Sequence, residues 1–225
     1  MSKIAITNLN KLYNPNKPNA FYALKNINLS IEEAEVVILK GVSGSGKSTL
    51  LSLIGGLAKP SSGEILVNGQ NIAKLPDIMS SGYRHKEIGF IFQSFNLLEG
   101  LSVYQNILAP LSLTSLSKEA INEKVSRAMS LANIEHKQHQ TVGSLSGGER
   151  QRCAIARAVV MEPEIILADE PTANLDKENS LMFIDILKKF KALHKTVIIA
   201  THDTLFDDQN CIDRYVHMRD GEFVE

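Results

Sequence analysis

The sequence predicts an α/β fold: a largely parallel sheet, an antiparallel β layer near the N-terminus and an inserted α-helical subdomain. Three observations predict it. Short apolar runs recur at Val36-Val37-Ile38-Leu39, Ile165-Ile166-Leu167-Ala168 and Thr196 to Ala200, as expected of strands buried on both faces. Helical periodicity lies between those runs, which is the pattern of a parallel sheet. The opening residues alternate instead, which suits a half-buried antiparallel layer.

In chain order, Ile4 to Thr7 alternates as a strand, and Asn14 to Asn19, with its prolines and asparagines, is a loop. Ala23 to Ile31 alternates again, then Val36 to Leu39 forms a buried strand. Glycines follow at once, and Lys47 to Leu57 reads as a helix. Glu64 to Val67 is a strand that turns at Asn68-Gly69. Ile88 to Phe92 is another strand. From Ser102 to Asn133 the pattern is helical, with Ile121, Val125, Met129 and Ala132 three or four residues apart. A second helix runs from Gly147 to about Met161. Lys177 to His194 is a helix with Phe183, Ile186, Leu187, Phe190 and Leu193 on one side. Ile212 to Met218 closes the chain as a strand and turn. Residues 1–225 thus read as one domain, with 1–93 and 161–225 as core and about 94–160 as the helical subdomain.

The 225 residues carry a net charge of −1, 44% hydrophobic and 22% charged residues. That balance suits a globular domain with a real core and gives no argument for a nucleic-acid partner. No apolar run is long enough to span a bilayer. Cys153 and Cys211 are too few and too far apart for a disulfide or metal framework. They read as small core residues of a reducing compartment.

Gly41 to Ser48 fits G-x-x-x-x-G-K-[ST], a phosphate loop placed between a buried strand and a helix. Gly41, Ser43, Gly44, Ser45 and Gly46 let backbone N–H groups curl around phosphate oxygens, and the helix points its positive end at them. Lys47 reaches the β- and γ-phosphates of ATP, the Ser48 hydroxyl ligates Mg²⁺, and Thr49 reaches the α-phosphate. This defines the core as that of a P-loop nucleoside triphosphatase.

The strand Ile165 to Ala168 ends in Asp169 and Glu170. Asp169 suits the Mg²⁺ shell, directly or through water. Glu170 is placed to polarise an attacking water. Lys40 is a departure: a cation at the end of a buried strand, directly before the loop.

Leu145-Ser146-Gly147-Gly148-Glu149-Arg150-Gln151-Arg152 resembles the signature motif of ATP-binding cassette (ABC) ATPases. Ser146 and Glu149 also form a capping box, and Gly147 and Gly148 expose N–H groups at a positive helix end. The resemblance covers the whole chain. It implies that Gln93 is the Q-loop glutamine, touching Mg²⁺ or the attacking water and sensing a membrane subunit. It implies that Asp176, in Ala173-Asn174-Leu175-Asp176, belongs to the nucleotide-proximal D-loop, where it also caps the next helix. His202 resembles the switch histidine at the γ-phosphate. The other five histidines match nothing and read as surface residues. Tyr13 sits where the family stacks an aromatic on adenine, with Phe21 and Tyr22 offered by the same loop.

The family's architecture further implies a dimer with two ATP molecules, each between the phosphate loop of one copy and Ser146 to Gly148 of the other. It also implies an integral membrane transporter subunit encoded separately, with this chain peripheral on the cytoplasmic face. Pro15 to Pro18, Phe90 to Leu98 and Pro171 to Asp176 together are most similar to the lipoprotein-release and macrolide-export branch. The alternative is a soluble or regulatory ABC ATPase, of cluster-assembly or cell-division type, not coupled to transport.

Overall fold

The computed structural model describes residues 2–224. The chain runs β1 (Ser2–Tyr13), β2 (Phe21–Glu32), β3 (Val36–Lys40), α1 (Lys47–Ile54), β4 (Ser62–Val67), β5 (Gln70–Asn71), α2 (Asp77–Glu87) and β6 (Ile88–Ile91). It continues through α3 (Val103–Leu108), α4 (Lys118–Leu131), α5 (Gly147–Val159), β7 (Ile165–Asp169), α6 (Lys177–Ala192), β8 (Thr196–Thr201), β9 (Arg214–Arg219) and β10 (Glu222–Val224). One sheet has the order β10-β9-β3-β8-β7-β6 and is parallel except for β10. The other, β2-β1-β4-β5, is antiparallel. The expected α/β class and separate antiparallel layer are both present.

The apolar runs are explained by what covers them. On one face Val36, Ile38, Ile166, Ala168, Val197 and Ile199 pack with Ile155, Phe183, Leu187 and Phe190. On the other, Val37, Leu39, Leu167, Ile198 and Ala200 meet α1 and the antiparallel layer through Leu50, Ile54, Ile4, Leu24 and Ile65. With period two and both faces covered, every position must be apolar. Each such side chain contributes about 1.5–3 kcal/mol on burial. The two-residue hairpin turns of β4–β5 and β9–β10 use left-handed residue pairs, Asn68-Gly69 (φ 50° and 77°) and Asp220-Gly221 (φ 51° and 82°), the pairing that matches strand twist.

The middle of the chain differs from the expectation. The stretch expected as one helical run from 102 to 133 is broken. α3 ends at Leu108, and Ala109–Leu113 tightens into a 3-10 turn with Pro110 in its first turn. Ser117 then caps α4, accepting from the Ala120 N–H at 3.3 Å. Proline lacks the N–H that would continue α3, and serine offers a competing start. The helix α2 has no counterpart in the sequence reading. It exposes Ile78 and Met79 and buries only Ser80 and Tyr83, so its apolar pattern is too thin to read. It is fixed by polar contacts instead: Tyr83 donates to the Ile54 carbonyl (2.9 Å) and Arg84 to that of Gly56 (2.8 Å). Helices α3, α4 and α5 lie between β6 and β7, yet Val103, Ile107, Val125 and Met129 join the same apolar cluster as α6.

Entry into this helical stretch depends on Asn106, which is fully buried. Its carboxamide accepts from the Leu98 N–H (2.8 Å) and donates to the carbonyls of Leu98 and Ser102 (3.0 Å each). Asn106→Ala leaves the buried Leu98 N–H without its acceptor and removes one of two donors from the carbonyls of Leu98 and Ser102, and is expected to lower unfolding free energy by about 1–3 kcal/mol. Urea denaturation followed by circular dichroism checks this, and a change below 1 kcal/mol contradicts it.

Candidate functional site

Parallel strands bring the expected site residues to one edge. In register, Leu39, Ala200 and Asp169 form one row across β3, β8 and β7, and Ile91 of β6 lies beside Ala168. The loops leaving these four strands carry Gly41–Ser48, His202, Glu170 and Gln93. Ligands of such sheets bind beyond the C-terminal ends of the strands for this reason.

The loop's conformation depends on two close backbone approaches. A Cβ on Gly41 would lie 2.3 Å from the Met218 carbonyl oxygen, and one on Gly46 2.6 Å from that of Ala23. Gly46 also has φ 105° and is the N-cap of α1. No side chain caps this helix, in contrast to α3, α4, α5 and α6, capped by Ser102, Ser117, Ser146 and Asp176. The first N–H groups of α1 are therefore left for an anion. Ser43, Gly44 and Ser48 are exposed and Thr49 half-buried at this opening. Ser45 is buried, and its Oγ has no hydrogen-bond partner among the described residues. Its carbonyl accepts from the Gly221 N–H (3.1 Å) and its N–H donates to the Val42 carbonyl (3.2 Å). Ser45 shapes the loop from beneath.

Lys47 is almost wholly buried, with its ammonium on the carbonyls of Gly41 (2.7 Å) and Val42 (3.1 Å) and 3.8 Å from Glu170 Oε1. It lies folded over the space the loop encloses. Ser48 Oγ donates to Asp169 Oδ1 at 2.8 Å. Burial pushes the Asp169 carboxyl above its ordinary range and the adjacent Glu170 adds to this, opposed by the Ser48 hydroxyl and Lys47. A hydroxyl and a partly buried carboxylate converging beside a phosphate loop are the two protein oxygens a magnesium ion requires when phosphates supply others. Among the described residues there is no group of three or more His, Cys, Asp or Glu that suits a metal on its own, so the residues fit Mg²⁺ held jointly with nucleotide.

Glu170 is the most heavily constrained group. Its backbone is left-handed (φ 43°), a conformation that costs a non-glycine residue about 1–2 kcal/mol. The Glu170 N–H donates to the Ala200 carbonyl (2.8 Å) and its own carbonyl accepts from the Ala173 N–H (3.2 Å). Its carboxylate accepts from Thr201 Oγ1 (3.0 Å) and lies 2.9 Å from His202 Nδ1. A carboxylate so fixed is equipped to accept a proton from a water at the loop mouth.

The remaining candidates separate. Gln93 is exposed, and its carbonyl accepts from Asn174 Nδ2 (3.2 Å). Tyr13 stacks on Phe21, with centroids 5.5 Å apart, two residues before Ala23, which touches Gly46. Tyr22 is exposed beside them. Asp176 caps α6 as expected: its carboxylate accepts from the Asn179 N–H (2.8 Å) and from Asn179 Nδ2 (2.9 and 3.0 Å). Ser146 and Glu149 form the expected capping box. The Ser146 N–H hydrogen bond, aided by Lys137, holds the Glu149 carboxyl down at about 2. Gly147 is exposed but Gly148 is buried. A Cβ on Gly148 would sit 2.0 Å from Asn179 Oδ1, so packing as well as N–H exposure demands glycine there. Among the described residues no hydrogen bond or ion pair joins 146–148 to 41–49. Four of the other five histidines are exposed and His85 is half-buried. Both cysteines are buried, and desolvation pushes Cys153 up to about 12.

Sequence reasoning missed several polar groups. Thr201 and Asp203 flank His202, with the Asp203 N–H on Thr201 Oγ1 (3.0 Å) and Asp203 Oδ2 accepting from Thr172 (2.7 Å). Arg157 of α5 donates to the carbonyls of Phe95 (2.7 Å) and Asn96 (2.5 Å), just after Gln93. The buried Gln151 donates to the Pro171 carbonyl (2.8 Å). The run Thr201-His202-Asp203 after a buried strand was a readable signal. The helix-borne contacts were not.

A phosphate-binding loop, an uncapped helix end and two acids at the end of β7, one strand removed, define a P-loop nucleoside triphosphatase. The family model for the ABC transporter matches residues 24–173. The chain is 38% identical over 223 residues to the ABC transporter ATP-binding protein YxdL of Bacillus subtilis, spanning 97% of this chain and 84% of that one. It is 36% identical over 222 residues to the lipoprotein-releasing system ATP-binding protein LolD of Pseudoalteromonas translucida, with 98% and 94% covered. Its fold matches the dimeric post-hydrolysis structure of the ATP-binding cassette MJ0796 bound to ADP and Pi, with TM-score 0.91 and 36% identity over 99% of this chain and 97% of that one. The chain belongs to the ABC transporter family, as an ATP-binding subunit that hydrolyses ATP.

Lys47→Ala removes the only ammonium inside the loop and is expected to weaken ATP binding about 10–100-fold. Isothermal calorimetry checks this, and unchanged affinity contradicts the placement of the phosphates.

Proposed function

We propose that the chain works as one of two copies that close on two ATP molecules and drive a separate integral membrane subunit of the lipoprotein-release or macrolide-export type. The observation that carries the ATPase half is Glu170, fixed by Thr201 and His202 at the mouth of the phosphate loop. In this reading the loop's N–H groups and α1 bind the phosphates, and Lys47 leaves its carbonyls for the β- and γ-oxygens. Ser48 and Asp169, with Gln93 nearby, would hold Mg²⁺, which supplies charge neutralisation for the phosphate oxygens when bound. Glu170 accepts the proton of the attacking water, and His202 contacts the γ-phosphate. Tyr13, paired with Phe21, stacks on adenine.

The dimer reading draws on the position of Ser146 to Gly148, which lies against Asn174 and Asn179 and has no bond to its own phosphate loop. There it is free to complete the site of a second copy, and Asp176 supports it through Asn179. MJ0796 is itself a dimer in its solved structures. For the membrane partner, the support is a groove of about 620 Å³ between α2, the segment after Gln93 and the helical stretch, with Phe92, Asn96, Leu113 and Arg157 in its wall. Leu113, Ile78 and Met79 are exposed nearby. Among the described residues no helix is long and apolar enough to cross a membrane, so coupling to a membrane needs a partner, with this chain on the cytoplasmic face. LolD serves a lipoprotein-releasing system by its name, which is the basis for the cargo class.

Glu170→Gln is expected to keep ATP affinity, lose at least about 100-fold in turnover and accumulate as an ATP-bound dimer on size-exclusion chromatography. Steady-state hydrolysis at the wild-type rate sinks the role given to Glu170. For coupling, affinity capture from solubilised membranes should recover a membrane protein with a large external domain. Recovery of only soluble partners overturns the transporter reading.

A further inference from the structure

Lys40 is the last residue of β3 and stands directly before the phosphate loop. The other four residues of β3 are fully buried hydrophobics. The Lys40 side chain is only 11% exposed. It lies on the same face of the strand as Val36 and Ile38 and reaches across to the loop that follows β8. Its ammonium donates to the Asp203 carbonyl (2.5 Å) and pairs with Asp207 Oδ1 (2.8 Å). Among the described residues, no side-chain bond joins it to the phosphate loop.

Stability alone does not account for this lysine. Taking an ammonium out of water is costly, and a well-packed apolar side chain commonly replaces a buried ion pair without loss. What Lys40 does supply is a link. Among the described residues, it makes the only hydrogen bond or ion pair between residues 37–48 and residues 202–208. The segment it holds carries His202. On the far side, that segment is bonded to the catalytic carboxylate through Thr201 and His202, and to Thr172 through Asp203. On the near side, Lys40 ties Asp203 and Asp207 to β3, while the buried Phe206 and the Tyr215 hydroxyl on the Phe206 carbonyl (2.7 Å) hold the middle of the segment. An open cleft of about 590 Å³, lined by Lys40, Val42, His202, Asp207 and His217, lies beside it, so without Lys40 the part that carries His202 has room to shift.

We propose that Lys40 is a positioning residue for ATP hydrolysis: it fixes the 202–207 segment against the strand that carries the phosphate loop, and so sets His202 at the γ-phosphate. The inference rests on the reading of His202 given above. It extends the site to a residue that touches neither nucleotide nor the reacting atoms.

The test uses the full chain with Lys40→Met, Lys40→Arg, Asp207→Asn, His202→Ala and the Lys40→Met/His202→Ala pair. ATP binding is read by calorimetry and hydrolysis by single turnover. Lys40→Met keeps the length of the stem and removes the donors. It should lower the single-turnover rate about tenfold, the scale of a modest misplacement of a reacting group, with ATP affinity unchanged within about twofold. Lys40→Arg should recover most of the rate, and Asp207→Asn should lose part of it. In the His202→Ala background, Lys40→Met should have no further effect, because coupled residues are non-additive. A wild-type rate in Lys40→Met, a loss confined to affinity, or an undiminished tenfold loss in the His202→Ala background overturns the proposal. Should Lys40→Met fail to fold, Asp207→Asn, whose carboxylate is half-exposed, carries the same comparison. A wild-type rate in His202→Ala sinks the reading of His202 and this proposal together. A slow His202→Ala beside an unimpaired Lys40→Met sinks the Lys40 role alone.

Discussion

The first turn of α1 has N–H groups with no acceptor among the described residues, and much of the site is arranged around that deficit. A helix end without a side-chain cap is costly unless something external satisfies it. Here the N-cap is Gly46, left-handed and pressed against the Ala23 carbonyl, so no capping side chain fits. The antiparallel layer, by placing Ala23 there, helps keep the helix end open. Gly41, confined by Met218 at the other end of the loop, is held equally closely. A phosphate supplies the acceptors, and the macrodipole and the Lys47 ammonium add to its attraction.

Around this opening the polar groups have partners within the chain. Lys47 rests on loop carbonyls, Ser48 on Asp169, and Glu170 on Thr201 and His202. The first two are bonds that nucleotide and its cation would replace, while the last two hold the Glu170 carboxylate in place. Desolvation raises the Asp169 pKa, and a cation at the same place would reverse that effect. The left-handed Glu170 is the strained point, kept in place by backbone bonds on both sides. Strain of this kind is retained where its neighbours over-determine it.

Helix α5 ties distant parts of the chain together. Its start is locked to α6 by the contact of Gly148 with Asn179, itself bonded to Arg152 (2.7 Å) and Asp176. Its middle meets the acid loop through Gln151, and its end grips the segment after Gln93 through Arg157. One helix thus contacts both the segment after Gln93 and, at its own start, Ser146. The partial burial of Arg157 and full burial of Gln151 make these links stiffer than exposed ones.

The sequence by itself determined what is local or doubly covered. The strands at 36–39, 165–168 and 196–200 were legible because burial on both faces forces unbroken apolar runs. The phosphate loop and the capping box at Ser146 were legible because glycine, lysine and capping residues act within a few positions of themselves. Only the tertiary structure decided the rest. It turned the Ser45 hydroxyl inward and gave Gly148 a packing reason through a residue 31 positions away. It built α2 from polar contacts with almost no apolar pattern. It also gave Lys40 its partners, more than 160 residues distant. Those outcomes depend on which strands and helices become neighbours, and a side chain's partner across a fold leaves no periodicity in the chain that carries it.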